Sequence, residues 1–288
     1  GEVLAQTPAS VEVLQGEHQL MLQLPSFAHW QTSLRVKAAK AQDLGQVALQ
    51  PAPGLWELSS VPGGANVTLD GDFLGQTPLT VEIAPGRADE PGTLYCGVEP
   101  AALFRSTDLG KSWSVVRGLL DHPHRERWTP GGGGLCLHTI VRDPGNADRM
   151  WIAISSGGVY RTDDGGRTWA ARNKGIRAEF MPDKYPEFGQ CVHKVVQHGS
   201  RPERLFAQNH WGLYRSDDAG DSWKDIAHGV PSDFGFAMAA HPHDADTVYI
   251  IPIESDTVRV APERKLRVYR TRNAGRSWEG LTRGLPQR

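Results

Sequence analysis

The chain has 288 residues, 39% hydrophobic and 22% charged, an ordinary soluble composition with room for two domains and a sizeable core. Its 31 Lys and Arg against 33 Asp and Glu leave a formal charge of -2, so bulk electrostatics favours neither nucleic acid nor an anionic membrane as a partner. No apolar run reaches the roughly eighteen residues of a transmembrane helix, and residues 1 to 20 lack a basic start followed by an apolar stretch, so no membrane span is expected within this segment.

Gly 32, Pro 20, nine Trp and many short runs of Val, Ile, Leu and Thr between turn residues give an all-β profile. Three cysteines, Cys96, Cys136 and Cys191, cannot all pair, and each sits in an apolar strand-like run. They read as buried thiols and point to a reducing compartment.

In chain order, GEVLAQTP at Gly1 to Pro8 aligns without gaps on GDFLGQTP at Gly71 to Pro78, and Ser10-Val11-Glu12-Val13 continues the match on Thr80-Val81-Glu82-Ile83. Leu34 to Gln46 has a helix-like Ala and Lys content, but its neighbours alternate like strands, so a loop or hairpin is predicted there. Asp70-Gly71 is a hairpin signal. With Val61-Pro62-Gly63-Gly64-Ala65 before it, the second copy resembles the PEGA family, small β-modules often found as tandem extracytoplasmic accessory domains. Gly63 stands where that family carries its glutamate, while the Asp-Gly and Gly-x-Thr-Pro turns are intact. The resemblance implies a location outside the cytoplasm, against the reading of the cysteines.

Residue 1 corresponds to Gly71, the middle of a repeat, so an upstream half repeat is expected to be missing. After Gly16 the first copy continues as the strand Glu17 to Leu24, but after Gly86 the second turns directly into Arg87-Ala88-Asp89-Glu90-Pro91-Gly92. The next sheet shows strands at Thr93 to Val98, Leu103 to Ser106 and Ser112 to Val116 but no inner strand. Two accounts stay open: the halves were joined at Gly86, or Leu79 to Ile83 serves both sheets.

STDLGKSW from Ser106, TDDGGRTW from Thr162, SDDAGDSW from Ser216 and TRNAGRSW from Thr271 share the pattern Ser/Thr-x-Asp-x-Gly-x-Ser/Thr-Trp. The closing residues Trp113, Trp169, Trp223 and Trp278 are spaced 169 − 113 = 56, 223 − 169 = 54 and 278 − 223 = 55. Each motif follows an alternating run such as Gly158-Val159-Tyr160-Arg161, itself preceded by another strand candidate such as Arg149 to Ser155, so each unit reads as a four-stranded meander. Glycine permits positive φ in a tight hairpin, and the Asp carboxylate accepts backbone N–H groups across it.

This pattern resembles the Asp-box, or bacterial neuraminidase repeat, family over roughly residues 89 to 288. The family folds as β-propellers and includes sialidases, sortilin-like receptors and glycosyl-hydrolase-like proteins. The resemblance implies that the boxes join the third and fourth strands of each blade, opposite the usual ligand face. Asp108, Gly110, Trp113, Asp164, Gly166, Trp169, Asp218, Gly220, Trp223, Asn273, Gly275 and Trp278 are then structural, with Asn273 departing from Asp. The expected architecture is all-β: PEGA-like repeats over 1–86, then an incomplete propeller of about four blades over 87–288, with blades at about 92–118, 135–174, 190–229 and 235–284. Closure is expected to need further blades.

Inner strands line a propeller channel, and two carry the same pair, Cys136-Leu137-His138 and Cys191-Val192-His193. Period two puts Cys and His on one face of each strand. A Cys2His2 cluster is one reading; the favoured one is packing, with His138 and His193 facing the channel and bonding water or ligand, and no metal or cofactor.

The best site candidate is the set of long polar loops on the opposite face: Asp121 to Trp128, followed by Gly131 to Gly134, then Arg177 to Glu187, Gln208 to Trp211, Ser232 to Gly235 and Glu254 to Arg264. Trp128, Asn209 and His210 join the histidines as ligand-binding candidates. Arg125, Arg127, Arg177, Tyr185, Glu187 and Asp233 are the residues from which a sialidase-like site would be assembled. No Arg-Ile-Pro element of the sialidase kind precedes the first box, so that site does not transfer residue by residue. The Gly131 to Gly134 run precedes a strand and lacks the Lys-Ser/Thr of a phosphate loop. The leading functional reading is a non-catalytic propeller presenting a pocket to a glycan, peptide or protein; the alternative is a fragment of a sialidase-like glycoside hydrolase.

Overall fold

The computed structural model of the chain describes residues 16–22, 30–36, 54–58, 66–69, 72–76, 79–84 and 92–287, the first six spans as backbone strands. Strands β1 (Gly16–Leu22) and β2 (Trp30–Val36) pair antiparallel as a sheet of their own. After β3 (Gly54–Leu58), β4 (Asn66–Leu69) and β5 (Asp72–Gln76) form a second two-stranded ladder; the Asp70-Gly71 turn itself, most of Leu34 to Gln46 and the Gly86 junction lie outside the described residues.

Three four-stranded antiparallel meanders follow the repeat. They are β10 (Leu137–Arg142), β11 (Met150–Ile154), β12 (Gly158–Thr162) and β13 (Ala170–Ala171); β14 (Val192–His198), β15 (Arg201–Asn209), β16 (Leu213–Ser216) and β17 (Lys224–Asp225); and β18 (Gly235–His241), β19 (Asp244–Pro252), β20 (Val268–Thr271) and β21 (Glu279–Leu281). The fourth strands are only two or three residues long, which limits the edge open to pairing with another chain.

The first blade corrects the sequence reading. Besides β7 (Thr93–Val98), β8 (Ala102–Ser106) and β9 (Ser114–Val115), its sheet takes β6 (Leu79–Ala84), paired antiparallel from Thr80↔Gly97 to Ala84↔Thr93, with β3 on the far side of β6. Residues 79–84 therefore supply the inner strand that blade one was expected to lack, in keeping with a strand that serves both sheets. The inner strand of blade one was not assigned from sequence because it lies inside the preceding repeat. The inner strands β6, β10, β14 and β18 lie side by side in chain order, as propeller blades require. At Gly97 the approach to β10 is so close that a Cβ would stand 2.4 Å from the Leu137 carbonyl oxygen.

The core sits between successive sheets. Leu103 and Leu119 meet Ile152, Tyr160 and Trp169 between blades one and two; Trp151 and Ala153 meet Leu205, Tyr214 and Trp223 between two and three; Phe206 and Leu213 meet Val248, Ile250 and Tyr269 between three and four. A strand with sheets on both faces has no solvent side, which is why Met150–Ile154 is apolar at every position and buried throughout.

The four repeated turns are built alike. Asp108 accepts from the Ser106 hydroxyl (2.7 Å), the Ser112 N–H (2.9 Å) and the Ser112 hydroxyl (2.5 Å). Asp164 repeats this set with Thr162 and Thr168, and Asp218 with Ser216 and Ser222. The leading hydroxyl in turn accepts the glycine N–H at 2.8 to 2.9 Å in all four turns, where Gly110, Gly166, Gly220 and Gly275 hold φ between +86° and +91°. Asn273 keeps the geometry by splitting its roles: Oδ1 accepts from Thr271 and the Ser277 N–H, and Nδ2 donates to the Ser277 hydroxyl. Hydrogen bonds, first from the Ser112 hydroxyl, hold the Asp108 carboxyl down to about 2; at Asp164, burial pushes up but the Thr168 bonds outweigh it and the group also lies at about 2.

These turns also clasp neighbouring blades. The Trp223 indole N–H donates to Arg172 O and that of Trp278 to Ile226 O, both in the preceding blade or the loop after it, whereas Trp113 and Trp169 bond the glycine carbonyl of their own turn. From the other side, Arg161 and Trp151 of blade two both donate to Ala219 O at 2.8 Å, and Arg215 of blade three donates to Ala274 O at 2.5 Å.

Candidate functional site

In a meander whose third and fourth strands meet at the repeated turns, the interblade loops and the hairpins between second and third strands gather at the other end. Three buried side chains of blade three organise that end. The Tyr214 hydroxyl accepts the Arg177 N–H (3.2 Å) and donates to Trp211 O (2.6 Å); Asn209 Nδ2 donates to Arg177 O (3.0 Å); Gln208 Nε2 donates to Asp233 O (2.9 Å). Two interblade loops and one hairpin are thus tied to one strand pair.

What they present is a continuous group of rings. Phe180 meets Trp211 at 5.1 Å between centroids, Trp211 meets His210 at 4.2 Å, and His210 meets His193 at 5.5 Å. Phe236 stacks on His193 at 4.5 Å, Phe234 lies edge-on to both histidines, and the Arg259 guanidinium sits 5.4 Å over Phe236. Phe180 is 50% and Phe236 45% exposed, unusual for phenylalanine and therefore informative, while Phe234 is buried beneath them. Burial lowers His210, and it lowers His193 to about 4 despite the Gly235 carbonyl, so His193 is uncharged at neutral pH.

A second group lies between blades one and two. His124 stacks on Phe188 at 4.1 Å, bonds the Tyr160 hydroxyl through Nδ1 at 3.0 Å, and places Nε2 3.8 Å from Glu187; the Trp128 indole donates to the same hydroxyl at 2.9 Å. Burial lowers both His122 and His124. Tyr160 thus plays under the first loop the part that Tyr214 plays under the second.

The predicted site residues fall into two sets. Trp128 and Asn209, expected to touch ligand, are buried and committed to internal bonds, and Arg125 donates to Ala101 O. His138 bonds Val192 O through Nε2 at 2.9 Å, fastening blade two to blade three, and His193 bonds Gly235 O through Nδ1 at 2.6 Å, fastening three to four. The histidines of the two Cys-His pairs thus fasten blades, and among the described residues the two pairs do not group as one four-ligand cluster. Exposed at the loop end are Tyr185, Glu187 and Arg127, the last 4.6 Å over Phe188. Arg177 pairs with Asp233 at 3.4 Å and with Glu179 at 3.4 Å. Among the described residues, one trio of donors, Cys191, His193 and His210, converges within 4.8 Å.

Sequence reasoning missed Phe180, Trp211 and Phe236 as a ring surface, and Arg161 and Arg215 as blade clasps. The arginines had a signal: Arg105, Arg161, Arg215 and Arg270 each stand one residue before the Ser or Thr that opens a repeat. The ring surface had none, because its members come from two separate loops and the start of β18.

Comparison with known proteins gives one family model, the PEGA domain, matching residues 56–88. A probable oligoxyloglucan-reducing end-specific xyloglucanase of Neosartorya fischeri is 26% identical over 201 residues, 57% of this chain and 24% of that protein. An ancestral GH74 enzyme of known structure is 20% identical over 72% of this chain and 26% of its own, with a TM-score of 0.51. The GH74 xyloglucanase from Xanthomonas campestris is 19% identical over 66% of this chain and 28% of its own, with a TM-score of 0.47. The chain spans about a quarter of the length of these relatives. It has the fold of a β-propeller segment similar to those of glycoside hydrolases.

Proposed function

We propose that this chain is part of a glycoside-hydrolase-like Asp-box propeller and that its loop end, around Trp211, Phe180 and Phe236, holds a saccharide of the xyloglucan type. The exposed aromatic surface carries this reading: sugar rings offer C–H faces that pack on aromatic planes, while polar groups such as Arg177, Asp233, Tyr185 and Glu187 take the hydroxyls. The likeness to a xyloglucanase supports the saccharide class, and the four shared turns support the Asp-box assignment. Glycan binding thereby moves ahead of a peptide or protein ligand, and the glycoside-hydrolase reading ahead of a purely non-catalytic one.

Calorimetric titration with xyloglucan oligosaccharides, sialosides and other neutral oligosaccharides tests it. Binding is expected for the xyloglucan series and is expected to weaken by about tenfold or more in Trp211→Ala without loss of folding. Absence of heat with every saccharide contradicts the proposal. Its hydrolytic form assigns Glu187 and Asp233 as the working carboxylates. Release of reducing ends that disappears in Glu187→Gln supports that form; turnover unchanged in both Glu187→Gln and Asp233→Asn removes it.

A further inference from the structure

The geometry points to a zinc site formed by Cys191, His193 and His210 at the open end of the β14–β15 hairpin. Cys191 immediately precedes β14, His193 lies at the register irregularity between Val192 and Lys194, and His210 immediately follows β15, its N–H bonded to Cys191 O at 2.9 Å. One hairpin therefore supplies all three donors and fixes their spacing. Cys191 Sγ and His193 Nε2 are 3.6 Å apart. Zinc bonds of about 2.3 Å to sulfur and about 2.0 Å to nitrogen place those atoms about 3.5 Å apart in a tetrahedron. The third donor, a ring nitrogen of His210, lies within 4.8 Å of both.

The surroundings are those of a ligand set. His193 Nδ1–H donates to the Gly235 carbonyl at 2.6 Å, which fixes the tautomer with the Nε2 lone pair turned to the thiol. Asp256 Oδ2 stands 3.5 Å from His210 Nε2, within reach to orient that ring. Phe236 and Phe234 wall the site on the side of blade four. A thiolate with two imidazoles suits zinc better than the all-oxygen cations, and three protein ligands leave a fourth position open.

The donors adjoin the ring surface proposed for the saccharide, but the test needs no sugar, so its outcome is separate from that reading. The whole chain is titrated with cobalt(II), a spectroscopic stand-in for zinc, and the cobalt is then displaced with zinc. One equivalent should give thiolate-to-cobalt charge-transfer absorption together with visible bands, and one equivalent of zinc should abolish both. Cys191→Ser should remove the charge-transfer band, and His210→Gln should weaken zinc binding by about tenfold or more. No charge-transfer band in the parent protein, or a band that survives Cys191→Ser, overturns the assignment. So does zinc affinity unchanged in both variants, each checked for folding by circular dichroism.

Discussion

The two ends of the blades differ in how they are made. At the turn end the same atoms recur four times: a hydroxyl on a glycine N–H, a carboxylate or amide across the hairpin, and an indole behind it. At the loop end what recurs is support: a third-strand tyrosine under each of two loops, Tyr160 and Tyr214, carrying different cargo, and an inner-strand histidine, His138 and His193, bonded to a carbonyl of the next blade. Repetition marks where the chain spends residues on holding blades together, and variation marks where chemistry can be placed.

The sharpest way to break this division is at a residue that belongs to the sheets but is clasped by a turn. Trp151 is fully buried between blades two and three, and its indole bonds the Ala219 carbonyl of the third turn. Trp151→Ala should cost about 3–5 kcal/mol, read as a large fall in melting temperature. A small fall would mean that the blades are not coupled through that turn.

A smaller effect separates the turns from one another. Asp164→Ala removes acceptors for one N–H and two hydroxyls and should cost about 1 kcal/mol, whereas Asp164→Asn should cost less, because Asn273 already builds the same turn with an amide. Equal losses in chemical denaturation would refute the equivalence.

Acid should separate them too. The carboxyls of Asp108 and Asp164 are held at about 2 when folded against about 3.9 when unfolded, so their contribution is complete above about pH 4 and is lost as pH falls toward 2. Asn273 does not titrate. Amide exchange at Gly110 and Gly166 should therefore quicken between pH 4 and pH 2, relative to the intrinsic rate, more than at Gly275; a uniform change would contradict the assignment.

The same division explains what could be read from the chain alone. The motif from Thr162 to Trp169 announces its turn because local chemistry fixes it: glycine for the positive φ and Asp for the hairpin N–H. Blade one's inner strand was hidden because Leu79–Ala84 also reads as part of the preceding repeat, and only pairing with β7 assigns it. Trp128 reads from sequence as a loop aromatic able to touch ligand but packs inward on Tyr160. The three-donor group was out of reach because His210 meets Cys191 only through the β14–β15 register, while the sequence drew Cys191 toward Cys136 and His138 of the neighbouring blade.

The central claim, that the loop end and not the turn end receives a saccharide, is tested most directly by mapping backbone amide shifts while a xyloglucan oligosaccharide is added to the isotope-labelled protein. The account predicts shifts at Arg177 to Glu187, His210 to Gly212 and Asp233 to Phe236, with the four turns at Gly110, Gly166, Gly220 and Gly275 unmoved. Shifts centred on those turns, or none anywhere, would contradict it.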